Sequence, residues 1–320
     1  MKLKASLSLL GAAIVLGACG SAGSAGAPPP VSQASATKRL VKIYVANIGD
    51  NTISAYLGNG TQTTPLIKTG SGSGDYLFGL AVSPQGKIYA LNFDSLLGSG
   101  TSATVTSFTP QGQPTKPTIT VTEQGFTAPS GIAVDSNGKI YVLSSAHDGS
   151  SGIVKTYEPN GTQTTPTFNT GPDSDGIAID ANGKIYVANG KGPNGKFSVT
   201  TYDPNGSPTT PTITRDVHDP VALAVAADGT IYVASATNRG PDGTIAGYVT
   251  SYSSSGEGPL ERIDTRAGAI GGLAVNARGD LYVPSSTATS SILRTYSSEG
   301  KRTDPTVHAG IYDPSGIVVH

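Results

Sequence analysis

The sequence is poor in cysteine and in charged residues. Its 320 residues include a single cysteine, so no disulfide can form within the chain and the packed core alone must hold the fold. Charged residues make up 13% of the chain, and the formal net charge is −1. A chain this close to neutrality offers no basic surface to nucleic acid, and we therefore expect no nucleic-acid partner.

Long hydrophobic runs and catalytic motifs are also missing. The apolar run near the N-terminus, residues 7–16, is too short to cross a membrane as a helix. The sequence contains no phosphate-binding loop, no cluster spaced like metal ligands and no spacing typical of a serine triad, so we predict neither a metal nor a cofactor. Glycine, by contrast, is abundant at 42 residues, which suits many short strands joined by turns.

The N-terminus has the layout of an export signal. Lys2 and Lys4 precede the apolar run, and small residues follow it up to Cys19. Residues 16–19, Leu-Gly-Ala-Cys, resemble the lipobox of bacterial lipoproteins, in which the cysteine becomes the new N-terminus and carries lipid with acyl chains such as palmitate. The resemblance implies a signal peptide over residues 1–18 and a lipid on Cys19 that attaches the chain to a membrane. The alternative is a plain signal peptide with an incidental cysteine.

Export with a lipid would place the protein in the bacterial cell envelope. The membrane would be the outer membrane where the host has one, and otherwise the outer face of the cell membrane. Residues 19–37 consist largely of Gly, Ser, Ala and Pro, which cannot build a core, so we predict a flexible tether with ends ~25 Å apart. The folded body is then residues 38–320.

One sequence pattern recurs throughout this body. It is clearest as GIAVDSNGKIYV at residues 131–142, where an apolar strand, an Asn-Gly turn and a second apolar strand follow one another. The first strands of the copies begin 44 to 52 residues apart, at Gly79, Gly131, Gly176, Ala222, Gly272 and Gly316. This period, with four strands per copy, is typical of propeller blades. The last copy is split between residues 316–320 and 42–46, so we predict that the C-terminal strand pairs with the N-terminal strands and closes a ring of six.

Each copy also repeats two aromatic positions and a proline. The second strand carries a tyrosine and the third strand ends in an aromatic residue, and we predict that both pack between blades. The proline is predicted to open the outermost strand, where its missing N–H leaves no partner unsatisfied. These prolines are Pro65, Pro117, Pro166, Pro211, Pro259 and Pro305.

The pattern resembles the NHL repeats of six-bladed propellers, which are structurally related to TolB-like propellers and to gluconolactonase-type enzymes. The resemblance covers residues 40–320 and implies an all-β, six-bladed propeller. It implies no single function, because related propellers bind proteins or RNA, sense ligands or hydrolyse lactones.

Binding is expected on one face of such a propeller. The connections that enter each first strand and leave each second strand share what we call the variable-loop face, and the short hairpins share the opposite, tight-turn face. Loops of varied length on a rigid scaffold are the usual place for binding. The residues predicted to bind a ligand there are Asp75, Tyr76, Asn92, His147, Asp148, Asp175, Asn189, His218, Asp219 and Asp313. The competing interpretation of the Asp, Asn and His residues is that they cap turns or contact water.

Two functions stay open at this point. The favoured one is a non-catalytic, monomeric, lipid-anchored propeller that binds a protein, peptide or glycan on the variable-loop face. The alternative is a metal-dependent hydrolase or lyase of gluconolactonase type, for which the resemblance implies a Glu, an Asn and an Asp from separate blades. Asp175 occupies a suitable position, but the pattern places no Glu on this face.

Overall fold

The structure is a computed structural model that describes residues 41–69, 75–94, 102–122, 126–146, 148–192, 194–236, 247–265, 268–287 and 289–320. These residues form 25 strands, and no helix long and apolar enough to cross a membrane is found among them. The predicted signal peptide, Cys19, the tether and His147 lie outside the described residues.

The strands group into six antiparallel sheets, which confirms the predicted all-β, six-bladed propeller. Blade 6 takes its outer three strands from the start of the chain, β1 (Lys42–Asn47), β2 (Thr52–Leu57) and β3 (Gln62–Lys68). Blade 1 contains β4 (Asp75–Val82), β5 (Ile88–Asp94), β6 (Ser102–Phe108) and β7 (Pro114–Thr122). Blade 2 contains β8 (Phe126–Val134), β9 (Ile140–Ala146), β10 (Gly152–Tyr157) and β11 (Gln163–Thr170). Blade 3 contains β12 (Ser174–Ile179), β13 (Ile185–Asn189), β14 (Ser198–Tyr202) and β15 (Pro208–Ile213).

The remaining strands complete the ring in chain order. Blade 4 contains β16 (Pro220–Val225), β17 (Ile231–Ser235), β18 (Tyr248–Tyr252) and β19 (Arg262–Asp264). Blade 5 has its first strand in two pieces, β20 (Ala269–Ile270) and β21 (Ala274–Val275), followed by β22 (Leu281–Ser286), β23 (Ser291–Tyr296) and β24 (Arg302–Val307). The final strand, β25 (Pro314–Val319), is the innermost strand of blade 6.

The ring closes as predicted, through β25 and β1. Ile43 pairs with Val319 and Val45 with Ile317 in an antiparallel ladder. The backbone N–H groups of Lys42 and His320 each donate to the carbonyl oxygen of the other residue, at 2.9 Å in both directions. Blade 6 is therefore built from both ends of the chain and is held by the same hydrogen bonds as a continuous sheet.

The hydrophobic core is divided among the six blade-to-blade interfaces. One cluster joins blades 1 and 2, and five others join each remaining pair of neighbours around the ring, including blade 6 with blade 1. The second-strand tyrosines are only 1–3% exposed, which confirms that they pack between blades. They are Tyr44, Tyr89, Tyr141, Tyr186, Tyr232 and Tyr282.

The hairpins between first and second strands differ from the predicted two-residue turns. The N–H of Ser83 donates to the carbonyl of Lys87 at 2.9 Å, and the N–H of Gly86 donates to the carbonyl of Ser83 at 2.8 Å. Three residues, 84–86, therefore form the loop, and of these only Gly86 has a positive φ, at 82°. A two-residue type I′ turn needs positive φ at both central positions. With positive φ at Gly86 alone, this hairpin has instead a three-residue loop, formed by a type I turn followed by one left-handed glycine.

The prediction that the repeat prolines open the outermost strands is wrong for five blades. Pro65, for example, lies inside β3 and is buried, where the ladder with β2 shifts register. Its ring packs against Gly112 in the outer turn of the next blade, and Pro211 packs against Gly256 in the same way. Proline has no N–H to leave unpaired at such an interruption, so its ring can fill the joint between two blades. Pro259 alone precedes its strand and is exposed.

Glycines bring the first strands close together around the central axis. A Cβ atom on Gly176 would lie 3.1 Å from the Cα of Ala222, and one on Gly316 would lie 3.3 Å from the Cα of Gly79. The space left between the six first strands is only about 90 Å³. The axis itself is thus too narrow for a ligand larger than a few atoms, and binding has to use the loops around it.

Candidate functional site

A cleft on the variable-loop face has a volume of about 1130 Å³ and spans blades 2, 3 and 4. We call it the main cleft. Its walls come from the loops after β9, β13 and β17, from the connections into β12 and β16, and from β18 and β19. Three of the predicted ligand-binding residues, Asp175, His218 and Asp219, lie together in it.

Two aspartates of the main cleft are held by their own backbone. Asp173 and Asp219 stand immediately before β12 and β16 and have positive φ values of 42° and 44°. The carbonyl of Asp173 accepts from the N–H of Gly190 at 2.9 Å, and that of Asp219 accepts from the N–H of Ala236 at 2.9 Å. Aspartate tolerates this left-handed conformation better than most residues, so the sequence can place a carboxylate at this bend.

Asp175 carries the strongest electrostatic signature of the main cleft. Partial burial raises its pKa to about 6, and the nearby carboxylates of Asp219 and Asp173 add to the rise. Within the described residues, none of the three carboxylates accepts a hydrogen bond or forms an ion pair. Three carboxylates therefore repel one another without a protein cation between them.

Cations also line the main cleft. The Lys191 ammonium lies 5.5 Å from the centre of the Phe197 ring, and the Arg262 guanidinium lies 3.8 Å from the centre of the Tyr248 ring. Lys196 is a third cation in the lining. Both signs of charge are thus presented in one cleft, with aromatic rings supporting two of the three cations.

A second cleft, of about 730 Å³, lies at the entrance to blade 6. It is lined by hydroxyl side chains from the end of β22, the following loop and the start of β23, together with Tyr312 and Asp313. One oxygen of the Asp313 carboxylate accepts from the Ser286 hydroxyl at 2.8 Å, and its N–H donates to the Ser291 hydroxyl at 2.9 Å. The second cleft thus contains the predicted residue Asp313 but lies apart from the other predicted residues.

The two asparagines predicted to bind a ligand are buried and form hydrogen bonds within their own blades. Asn189 is fully buried, and its amide donates to Thr200 at 2.9 Å while its oxygen accepts from Ser174 at 2.9 Å. Asn92 is 7% exposed and donates to the Thr106 hydroxyl at 3.0 Å. Since both amides face into their blades, we leave them out of the proposed site.

The remaining predicted residues are dispersed on the same face. Tyr76 lies within β4 and is 42% exposed. Asp75 is the first residue of β4, opposite Asp94, and its side chain is outside what the structure describes. Asp148 is exposed and accepts from the N–H of Ser150 at 2.9 Å, so it caps its turn. Among the described residues, no group of three His, Cys, Asp or Glu is arranged to hold a metal ion.

The residues predicted from the sequence to bind a ligand do not include the cations that line the main cleft, Lys191, Lys196 and Arg262. Arg262 is on β19, an outermost strand, where the repeat pattern gives no reason to expect a ligand contact. It reaches the main cleft because it lies over Tyr248 of the neighbouring strand. Lys191 and Lys196 could have been suspected, since the loop between β13 and β14 is longer than a tight turn.

Comparisons with known proteins find similarity in structure only. No protein-family model matches the sequence, and no curated protein matches it. A protein of unknown function from Bacteroides caccae superposes with a TM-score of 0.64 at 13% identity, over 88% of this chain and 98% of that one. TolB from Acinetobacter baumannii gives 0.60 at 13% identity, over 87% and 66% of the two chains. Hydrazine synthase from Kuenenia stuttgartiensis gives 0.57 at 14% identity, over 86% and 85%.

The likeness is one of fold. At these identities, the neighbours support the propeller fold and carry no activity over to this chain. The resemblance to NHL repeats remains a feature of the sequence pattern, since no family model supports it.

Proposed function

We propose that the protein is a binding module of the bacterial cell envelope, anchored by a lipid on Cys19, which binds a protein, peptide or glycan ligand on its variable-loop face. The main cleft supports this proposal most directly. A volume of about 1130 Å³ on a rigid six-bladed scaffold suits a ligand larger than a single metabolite.

The charges of the main cleft favour a peptide segment of a partner protein as its ligand. Three unpaired carboxylates can receive an amino or guanidinium group, and Lys191, Lys196 and Arg262 can receive carboxylates. A peptide carries both kinds of group, whereas a neutral glycan carries neither. Complementary charges of this kind contribute mainly to specificity and to the rate of association.

The start of the described chain lies on the tight-turn face. Val41 precedes β1, and the N–H of the next residue, Lys42, donates to the carbonyl of His320 on that face, which is opposite both clefts. The enzyme alternative, a metal-dependent hydrolase or lyase, has no donor set in the described residues to support it, and we do not propose it.

A matched pair of lysines tests the position of the site. Lys191 lies 5.5 Å from the Phe197 ring on the variable-loop face, and Lys184 lies 5.7 Å from the Tyr186 ring near the tight-turn face. Capture of envelope proteins by the purified chain should weaken for Lys191→Ala and for Asp175→Asn. Lys184→Ala should leave capture unchanged, because it removes the same local contact away from the clefts.

The outcome is read by quantifying captured proteins by mass spectrometry, with folding checked by circular dichroism. Equal loss from Lys184→Ala would move the site to the tight-turn face. If neither Lys191→Ala nor Asp175→Asn changes the amount of captured protein, the main cleft is not the binding site.

A further inference from the structure

We propose that the second cleft binds a neutral saccharide, with the Tyr312 ring as the surface on which a sugar stacks and Asp313 as an acceptor for its hydroxyl groups. This inference rests on the proposed function and deepens it: it assigns a saccharide to the second cleft of the variable-loop face, whereas the main cleft is proposed to bind a peptide.

Tyr312 is an exposed aromatic side chain on a fixed backbone. The residue is 54% exposed, more than the other aromatic residues among the exposed large hydrophobic side chains that the structure describes, Tyr76 at 42% and Phe78 at 38%. Yet its N–H donates to the side-chain oxygen of Asn47 at 3.0 Å, and its carbonyl accepts from the N–H of Gly49 at 3.2 Å. Asn47 is itself fully buried and also donates to Ser54 at 3.1 Å. The ring is therefore displayed from a preorganised backbone, which lowers the entropic cost of using it in binding.

An exposed aromatic ring suits the apolar face of a sugar. The ring face carries negative charge density and attracts the weakly positive C–H groups that line one side of a pyranose. Tyrosine also presents a hydroxyl at its tip, so one residue can make both an apolar and a polar contact.

The rest of the second cleft consists largely of short hydroxyl side chains. They come from the last residue of β22, the loop that follows and the first residue of β23, and are Ser286, Thr287, Thr289, Ser290 and Ser291. Each hydroxyl can both donate and accept, which matches a ligand whose own groups do the same. One oxygen of Asp313 already accepts from Ser286, and its second oxygen has no described donor, so it can accept from vicinal sugar hydroxyls.

The charge of the second cleft argues for a neutral ligand. No lysine or arginine is among the described residues that line it; the ionisable groups with acidic or basic side chains there are Asp313, its one carboxylate, and His308. An anionic ligand would meet the carboxylate without a lysine or arginine to compensate it, in contrast to the main cleft. The volume of about 730 Å³ lies within the range of small-ligand sites and can hold a short oligosaccharide.

A glycan array probed with the full-length purified protein tests this inference. The array should carry neutral oligosaccharides, including glucose, mannose, galactose and N-acetylglucosamine polymers, and acidic oligosaccharides for comparison. We expect the protein to bind a neutral oligosaccharide on the array. Isothermal titration with that oligosaccharide in solution then measures the affinity. Tyr312→Ala should weaken binding roughly tenfold, and Tyr312→Phe should retain most of it because the ring stays.

Two further variants make the result specific. Asp313→Asn keeps a side chain that tolerates positive φ and accepts from Ser286, but it replaces the free acceptor by a donor, so binding should weaken while the fold survives. Lys191→Ala, in the main cleft, should leave saccharide binding unchanged, which separates this inference from the proposed function.

Three results would overturn the inference. They are the absence of binding to every neutral oligosaccharide on the array, affinity of both Tyr312→Ala and Asp313→Asn equal to wild type, and capture of a protein by this cleft in place of any saccharide.

Discussion

The pKa of Asp175 links the electrostatics of the main cleft to the stability of the protein. Its carboxyl has a pKa of about 6 in the folded protein, against an ordinary value of 3.8, because of burial first and of Asp219 and Asp173 second. The folded state therefore binds this proton more tightly than the unfolded chain does. The contribution of Asp175 to stability is fully present below about pH 4 and is lost as the pH rises through about 6.

Replacing this carboxyl by an amide should change the pH dependence of stability. Asp175→Asn cannot ionise, so its unfolding temperature should exceed that of the wild type at about pH 7.5, and the difference should shrink as the pH falls below about 5. Thermal unfolding followed by circular dichroism at several pH values measures this. Asp304→Asn, an exposed carboxylate on the outer strand β24, is the control and should give no comparable trend. A difference for Asp175→Asn that stays constant with pH would show that the three carboxylates do not interact as described.

Among the structural elements, β25 has the most demanding role, because it must join a blade whose other strands lie at the opposite end of the sequence. Its ladder with β1 and the inward side chain of Ile317, 5% exposed, give it the same environment as a first strand of a continuous blade. The equivalent residue of blade 3 is Ile177, 9% exposed and paired with Val187.

These two isoleucines form a matched test of ring closure. Ile317→Ala and Ile177→Ala should each lower the free energy of unfolding by about 2–5 kcal/mol, since each removes a buried branched side chain. Urea unfolding of both variants gives the comparison directly. A cost for Ile317→Ala well below that of Ile177→Ala would show that β25 detaches easily and that the ring is open in solution.

The fold was predictable from particular elements, whereas the clefts were not. The Gly-Ile-Ala-Val pattern recurs because the first strand of each blade must approach its neighbours closely at the axis, where glycine leaves room for their backbones. The same requirement acts on each blade, so each copy of the sequence shows it. The proline positions misled because a proline at an interruption inside a strand and a proline before a strand look alike in sequence. Arg262 lies over the Tyr248 ring of the neighbouring strand and 3.8 Å from the Asp264 carboxylate, contacts of single residues that a repeat pattern does not predict.

At the scale of the whole molecule, the described residues form six similar blade-to-blade interfaces, and the main cleft and the second cleft lie on one face. The interfaces demand the repeat, so their residues recur from blade to blade. The clefts arise where the repeat is broken, in the loops around blades 2–4 and at the entrance to blade 6. Residues that occur once carry no periodic signal, which is why reasoning from the repeat located the face but not the walls of the clefts.

Attachment of the whole molecule to a membrane is tested at Cys19. If the chain is a lipoprotein as proposed, Cys19→Ser should leave an uncleaved precursor and abolish labelling with a radioactive fatty acid, because the thiol would be the acceptor of the lipid. Ser21→Ala, two residues further along, should be processed and labelled as the wild type is. Normal cleavage of Cys19→Ser would show instead that an ordinary signal peptidase acts on this chain.

The pairing of β25 with β1 also sets the order in which the protein can finish folding. Asn47 and Tyr312 hydrogen bond to each other although 265 residues separate them in sequence. As the chain is made, β1 comes early, and its inner edge has no partner until β25 follows. A nascent molecule therefore carries an open sheet edge through nearly all of its synthesis. The chain is thus most prone to aggregation before the ring closes. A factor that covers the unpaired edge of β1 during that time would protect the whole propeller from aggregation.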